Sequence, residues 1–320
     1  MNNGPFADEW SRLKATGNSE GFKTRIYPDH HLDFWIKFTA NMHRCLQILI
    51  PEDLHEPELP NLEGFECRVE LQSSQRLLTF ELSDSRLNKV FDALLINLIH
   101  TSGQAPTEKS ALGILVERLR LWTELLRKRG QKKSLGEVIG LLSELIILEK
   151  FMDHGSPFEL ILPGWRGPDG DSSDIGINNR RVEIKAKMVT QHLSIDISSA
   201  DQLTDDGKDL FLAVNFFTKS PVGVSVRDVV ARLEDKLSEY PRLVDVFFGK
   251  LMLAGFDETA EEFDEPFELS NTRAFIASDD NFPRIQVRDL NPGIEKVRYK
   301  IDFSALEPYE CDVNDLMAKI

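Results

Sequence analysis

Asp174-Ile175-Gly176-Ile177-Asn178-Asn179-Arg180-Arg181-Val182-Glu183-Ile184-Lys185 reads as a β-hairpin that presents two acids and a lysine. Val182, Ile184 and Ala186 alternate with Glu183 and Lys185. Side chains two apart share one face of a strand, about 7 Å apart along it, so Glu183 and Lys185 stand together opposite an apolar face. Asn178-Asn179 supplies the turn. That polar face, with Asp174 at the head of the hairpin, suits a cation held beside a phosphate. The pattern acid-x-Lys is weak on its own, because Asp206-Gly207-Lys208 and Glu234-Asp235-Lys236 also satisfy it. The first of these lies in a polar loop and the second on an amphipathic helix, so context selects Glu183 and Lys185.

Working upstream, Ser134 with Glu137 three residues later forms a capping box, which starts a helix over 134–151. Within it Glu144 is surrounded by Val138, Leu141, Leu142, Leu145, Ile146 and Leu148. An unpaired buried carboxylate is costly, so Glu144 either has a partner or lies on a solvent stripe with Glu137. Phe158 to Leu162 predicts a short strand, and the Gly-rich loop 163–173 can bring backbone close to a ligand. Downstream, Leu193 to Ile197 alternates cleanly, and Asp209 to Phe217 is apolar enough for a central strand buried on both faces. Helices follow over 226–237 and 243–253. This order predicts a mixed α/β (α+β) core sheet flanked by helices.

The first hundred residues differ in texture. Strand-like runs at 32–38, 46–50, 67–71 and 77–82 alternate with turns around Pro51 and Pro60, and 87–100 has the spacing of a closing helix. The polar segment 101–107, with Gly103 and Pro106, precedes a helical run at 111–129. Two domains are therefore expected, a β-rich module at 1–105 and a second domain at 106–320, in keeping with about 150 residues per domain.

Composition narrows the function classes. Of 320 residues, 41% are hydrophobic and 28% charged, as in a soluble globular protein, and no apolar run approaches the roughly 20 residues of a membrane span. The N-terminal residues show no secretory pattern, and Cys45, Cys67 and Cys311 are widely spaced, which fits a reducing cytoplasm and gives no zinc motif. A net charge of −15 argues against coating nucleic acid through global attraction, so any such contact must be local. The stretch Arg118 to Lys133 carries seven basic residues against Glu124 and is the candidate contact, with Arg127, Lys128 and Arg129 at its centre; a solvated helix face is the alternative. Asp257 to Glu265 holds six acids in nine residues and reads as a solvated loop, with mimicry of phosphate in autoinhibition as the alternative.

The hairpin resembles the active-site core of the PD-(D/E)XK nuclease superfamily, with Asp174 as first acid and Glu183-x-Lys185 as signature. Gly140-Leu141-Leu142-Ser143-Glu144-Leu145, Ile197-Ser198-Ser199-Ala200-Asp201-Gln202-Leu203, Phe282-Pro283-Arg284-Ile285 and Pro292-Gly293-Ile294 extend the likeness. Together they resemble PD-(D/E)XK motif proteins encoded beside prokaryotic restriction-modification and phage-defence genes. Ser143 stands where that family usually has Gly.

The resemblance implies a restriction-endonuclease-like core and a DNA endonuclease using Mg²⁺, for which Mn²⁺ can substitute. Mg²⁺ takes about six oxygen ligands and commonly only one or two protein carboxylates. Asp174 and Glu183 fit that role, Glu144 would be an outer ligand or position a water, and Lys185 would orient or deprotonate the attacking water. Lys187, two residues on, should share that face and contact a backbone phosphate unless it is a plain surface lysine. Ser198 or Gln202 could touch phosphate, although Ser199-Ala200-Asp201-Gln202 also reads as a helix cap, and Arg284 is expected in a buried salt bridge. The alternative function is a nuclease-fold DNA-binding or assembly subunit without cleavage of its own. Partners implied are DNA and other restriction or defence proteins, with a homodimer also open.

Overall fold

Apolar alternation in the two halves of the chain builds two separate sheets. The computed structural model describes residues 6–16, 22–52, 54–60, 64–72, 75–127, 132–258, 260–294 and 296–317. It is a mixed α/β architecture divided into two compact units, residues 1–129 with 244–255, and residues 130–243 with 256–320.

In the first unit, helix α1 (Ala7–Ala15) precedes strands β1 (Thr24–Ile26), β2 (Phe34–Phe38), β3 (Arg44–Ile50), β4 (Phe65–Gln72) and β5 (Gln75–Leu82), then helices α2 (Asn88–Ser102) and α3 (Glu108–Arg127). The strands form one antiparallel sheet in the order β1-β2-β3-β5-β4. Phe34, Ile36, Leu46, Ile48, Leu78 and Phe80 from one face of this sheet are buried with Phe91, Leu95 and Leu98 of α2 and Leu115, Leu119 and Trp122 of α3. Trp122 Nε1 donates to Asn97 Oδ1 at 3.1 Å. A buried Asp92, its carboxyl pushed up to about 6 by burial against the pull of Arg44, accepts from Trp10 Nε1 at 3.0 Å and ties α1 to α2.

The division differs from the expected boundary near residue 105. The polar segment 101–107 does make a turn, but the apolar stripe of α3 is buried in the core of the N-terminal sheet, so α3 belongs to the first unit. Residues 244–255 rejoin that unit late in the chain, with Leu253 in the same core.

The second unit holds α4 (Leu135–Asp153), α5 (Phe158–Gly164), β6 (Ile175–Ile177), β7 (Arg180–Met188), β8 (Ser194–Ile197), β9 (Asp209–Val224) and α6 (Val226–Lys236). After α7 (Pro241–Leu253), whose residues from Val244 on belong to the first unit, come β10 (Phe267–Ile276), β11 (Tyr299–Asp302), β12 (Glu310–Cys311) and α8 (Val313–Met317). Its main sheet runs β12-β10-β9-β7-β6. β6 and β7 are the expected hairpin, turning at Asn178 in the left-handed region (φ 51°), and β7 lies parallel to β9. β9 is buried on both sides: Leu210, Leu212, Val214 and Phe216 join a core with Ile195, Ile197, Ile301 and Phe303, while α4 packs on β7. β8 and β11 pair as a small separate sheet.

One local expectation changes. Residues 158–162 form α5 and not a strand: Pro157 opens the helix, and its carbonyl accepts from the amides of Leu160 and Ile161 at 3.0 and 3.1 Å. The acidic segment near 257–265 is clamped by Arg227, whose guanidinium reaches the Glu258 and Ala260 carbonyls and the Asp264 carboxylate. Among the described residues, no helix is long and apolar enough to cross a membrane.

Candidate active site

The alternation of β7 puts Val182 and Ile184 on one face and Arg181, Glu183 and Lys185 on the other. Cross-strand neighbours on that second face are Leu210, Leu212 and Val214 of β9, which are buried, so the acid and the lysine sit at the edge of an apolar core. Glu183 is 1% exposed. Lys185 Nζ approaches Glu183 Oε1 to 2.7 Å, yet neither oxygen of Glu183 has a hydrogen-bond partner with good geometry. A buried acceptor left unmatched costs about 1–3 kcal/mol, more when charged, so this carboxylate is placed for something other than stability.

Asp174 is fixed at both ends. Its Oδ2 accepts from the Ile184 amide at 2.6 Å, and its carbonyl accepts from the Arg166 and Gly167 amides at 2.7 and 3.0 Å. Glu144 arrives from α4, half-buried, and its Oε2 accepts from Trp165 Nε1 at 2.7 Å. The partner of the Glu144 carboxylate is therefore an indole donor. Gly167 closes the arrangement. A Cβ there would lie 3.0 Å from both Asp174 Oδ1 and Glu144 Oε2, so those oxygens border one small space no wider than twice that distance.

Crowding three acids beside one lysine shifts their protonation. Burial, reinforced by Asp174, pushes Glu144 up to about 8, and burial pushes Asp174 up to about 6 against the pull of Lys185. Glu183 is raised well above the usual carboxylate range by burial and then by Asp174. A carboxyl raised by folding holds a proton that the unfolded chain has already released. Its contribution to stability is therefore full below about pH 4.5 and lost as pH rises towards 8. Glu144→Gln needs no proton and keeps an acceptor for Trp165. In chelator it should melt above wild type at pH 8.5, by about 2–4 °C for each kcal/mol of relieved repulsion, and show little gain at pH 4.5. Equal shifts at both pH values in calorimetric melts would refute this account.

Other side chains hold the cluster in place. Gln202 Oε1 accepts from Lys185 Nζ at 3.3 Å and from the Ser198 amide at 2.9 Å, so Gln202 orients the lysine, while Ser199 caps the turn that carries it. Arg181, 6% exposed, donates to the Thr204 and Asp201 carbonyls and to Ser172 Oγ, stitching the Asp174 loop to the Gln202 turn. Beneath them, buried Asn215 donates to Ser143 Oγ at 2.8 Å and accepts from Thr272 Oγ1 at 2.7 Å. Ser143, at the family's usual Gly position, is thus a polar link from α4 to β9.

Of the eight residues singled out from the sequence, four converge: Glu144, Asp174, Glu183 and Lys185. Lys187 does not join them. It shares their strand face, but its ammonium donates to the Ser194 carbonyl and its electrostatic neighbours are Asp196 and Lys300. Arg127 ends α3 with its side chain outside the described residues, as are Lys128 and Arg129. Arg284 forms no salt bridge among the described residues and donates to the Ala277 carbonyl instead. Trp165, Arg181 and Asn215 went unread in the sequence, and Gly167 was read only as part of a Gly-rich loop able to bring backbone close to a ligand. Two of the unread residues left a signal there: an arginine two residues before Glu183, and an asparagine in an otherwise apolar strand.

The family model described as "Putative PD-(D/E)XK family member, (DUF4420)" matches residues 6–304. The chain belongs to that family. No curated protein and no solved structure matches it. The match takes in every element of the PD-(D/E)XK-like site, from α4 through the Gln202 turn to β11, and also the N-terminal sheet.

Proposed function

We propose that the chain is a divalent-cation-dependent DNA endonuclease of a prokaryotic restriction or phage-defence system. The observation that carries the chemistry is Glu183, a buried carboxylate whose one charged neighbour is Lys185 at 2.7 Å and which has no well-aligned hydrogen bond, set beside Asp174. The defence setting rests on the sequence resemblance. Among the described residues no three acids, histidines or cysteines are already drawn together as a metal-binding group. Two carboxylates suffice for Mg²⁺, which keeps waters and substrate oxygens in the rest of its shell. The residues fit such an ion: Glu183 and Asp174 would hold it, with Glu144 beside Asp174 across Gly167.

When bound, a divalent cation supplies Lewis acidity at the phosphate and eases ionisation of the attacking water. Trp165 keeps the Glu144 carboxylate turned towards the space beside Gly167, where it can orient a water. Lys185, aimed by Gln202 and Glu183, stabilises charge developing at the phosphate oxygens or takes the proton of the nucleophile at Nζ. Arg181 holds the two loops that fix this geometry. Because the acids are proton-loaded near neutrality, cation binding should release protons and strengthen as pH rises from about 6 to 8.

Supercoiled plasmid, with and without base modification, incubated with Mg²⁺, Mn²⁺ or chelator tests the reading. Cation-dependent relaxation or linearisation is expected. Binding of the plasmid with no cut under any of these conditions would assign the chain to recognition or assembly.

A further inference from the structure

The loop between β10 and β11 carries two blocks of the family likeness, around Arg284 and Gly293, that the chemistry above does not use. Both ends of this loop are anchored at the rim of the candidate site. The Gln286 side chain, buried, accepts from the Asp205 amide at 3.0 Å, and the Val287 amide donates to Thr204 Oγ1 at 3.3 Å, just beyond the Gln202 turn. At the other end Tyr299 pairs with Ile197, next to the Ser198 that bonds Gln202, and its hydroxyl accepts from the Ile285 amide. The Tyr299 hydroxyl is raised chiefly by burial, and the Glu183 carboxylate adds to that, which places it within electrostatic reach of the site.

Between these anchors Arg288, Lys296 and Arg298 are exposed, and among the described residues none of the three forms an ion pair. From residue 284 to 300 five cations face two acids, in a chain of net charge −15. Val287 and Ile294 are exposed among them, at 38% and 47%. Exposed cations with no ion pair among the described residues, on a loop anchored beside the Gln202 turn, are complementary in charge to a polyanion.

We propose that the loop residues 287–294 and 296–298 form a DNA-docking surface, in which Arg288, Lys296 and Arg298 contact backbone phosphates and hold the duplex across the site. This rests on the DNA-cleavage reading of that site. The loop is tied by hydrogen bonds to Thr204 and Asp205, next to the turn that aims Lys185.

The test measures binding of a fluorescent DNA duplex by anisotropy, in Ca²⁺ and over a salt titration. Three proteins are compared: wild type, Arg288→Glu/Lys296→Glu/Arg298→Glu, and a control with the same charge change on the first unit, Arg12→Glu/Lys14→Glu/Lys109→Glu. A parallel set with Gln at the three loop positions covers any misfolding of the reversed loop. Each lost phosphate contact flattens the slope of log K against log salt by about 0.9, so a loss of about 3, with affinity down at least about tenfold, is expected for the loop variants alone. Wild-type affinity and slope in the folded loop variants, an equal loss in the control, or no binding by wild type would overturn the proposal. Cleavage by wild type alongside unaffected loop variants leaves the active-site reading standing. Loop-dependent binding without cleavage in Mg²⁺ or Mn²⁺ sinks that reading and supports the docking surface.

Discussion

Asp174→Asn is expected to lower DNA cleavage by about 10²–10³-fold, the range seen when one preorganised electrostatic group is lost, and to weaken Mn²⁺ binding in calorimetry. Asparagine matches the shape of the carboxylate and can still accept from the Ile184 amide, so the hairpin should survive the change. What disappears is one of two negative charges available to a cation, together with the field that helps to hold a proton on Glu183. Lys185→Ala should behave differently. It removes no ligand and relieves the ion pair at Glu183 Oε1, so Mn²⁺ should bind at least as well while hydrolysis falls by a comparable factor. The two variants therefore separate cation holding from work on the water or the phosphate. Full cleavage by folded Lys185→Ala protein would defeat the assigned roles. Equal loss of metal binding in both variants would mean that the lysine shapes the cation site and does not act on the substrate.

The parts of this site legible in the sequence are those set by neighbours along the chain. The period-two alternation of β7 and the Asn178 turn fix which side chains share a face, and the Ser134–Glu137 capping box fixes where α4 starts. What stayed hidden depends on partners far away in sequence. Trp165 meets Glu144 across 21 residues, and Asn215 meets Ser143 across 72, through packing that no local pattern encodes. Lys187 shows the limit of alternation: it gives the face correctly, but a four-carbon stem lets the ammonium find the Ser194 carbonyl instead of the cluster. The run 158–162 shows another, because five mostly apolar residues carry too little periodicity to separate strand from helix, and Pro157 decided the outcome. The boundary near residue 105 misled for a related reason. Turn chemistry marks where the chain bends, whereas the burial of Leu115, Leu119 and Trp122 decides which unit α3 completes.

Asn215→Leu should cost the second unit about 2–3 kcal/mol, a fall in Tm of about 4–12 °C, although leucine is similar in size and suits a central strand. The side chain is fully buried, and its loss leaves Thr272 Oγ1 without its acceptor and Ser143 Oγ without its donor. The buried Ser143 hydroxyl then keeps only its 3.5 Å contact with the Lys185 carbonyl and the half-buried Thr272 hydroxyl loses its acceptor, and the apolar gain of leucine does not offset both. The effect should also reach the chemistry. Ser143 is the residue before Glu144, and its hydroxyl lies 3.5 Å from the carbonyl of Lys185, so the link sets the height of α4 over β7. Cleavage should therefore fall even at temperatures where the variant is folded. A double-mutant cycle distinguishes this from simple loss of packing. Ser143→Ala leaves the Asn215 amide only the Ser143 carbonyl at 3.4 Å and should be destabilising alone, but in the Asn215→Leu background it removes a hydroxyl already reduced to its 3.5 Å contact with the Lys185 carbonyl. The double variant should accordingly cost less than the two single changes together, by about 0.5–3 kcal/mol. Strict additivity in the melts would show that Ser143 and Asn215 do not act as one link.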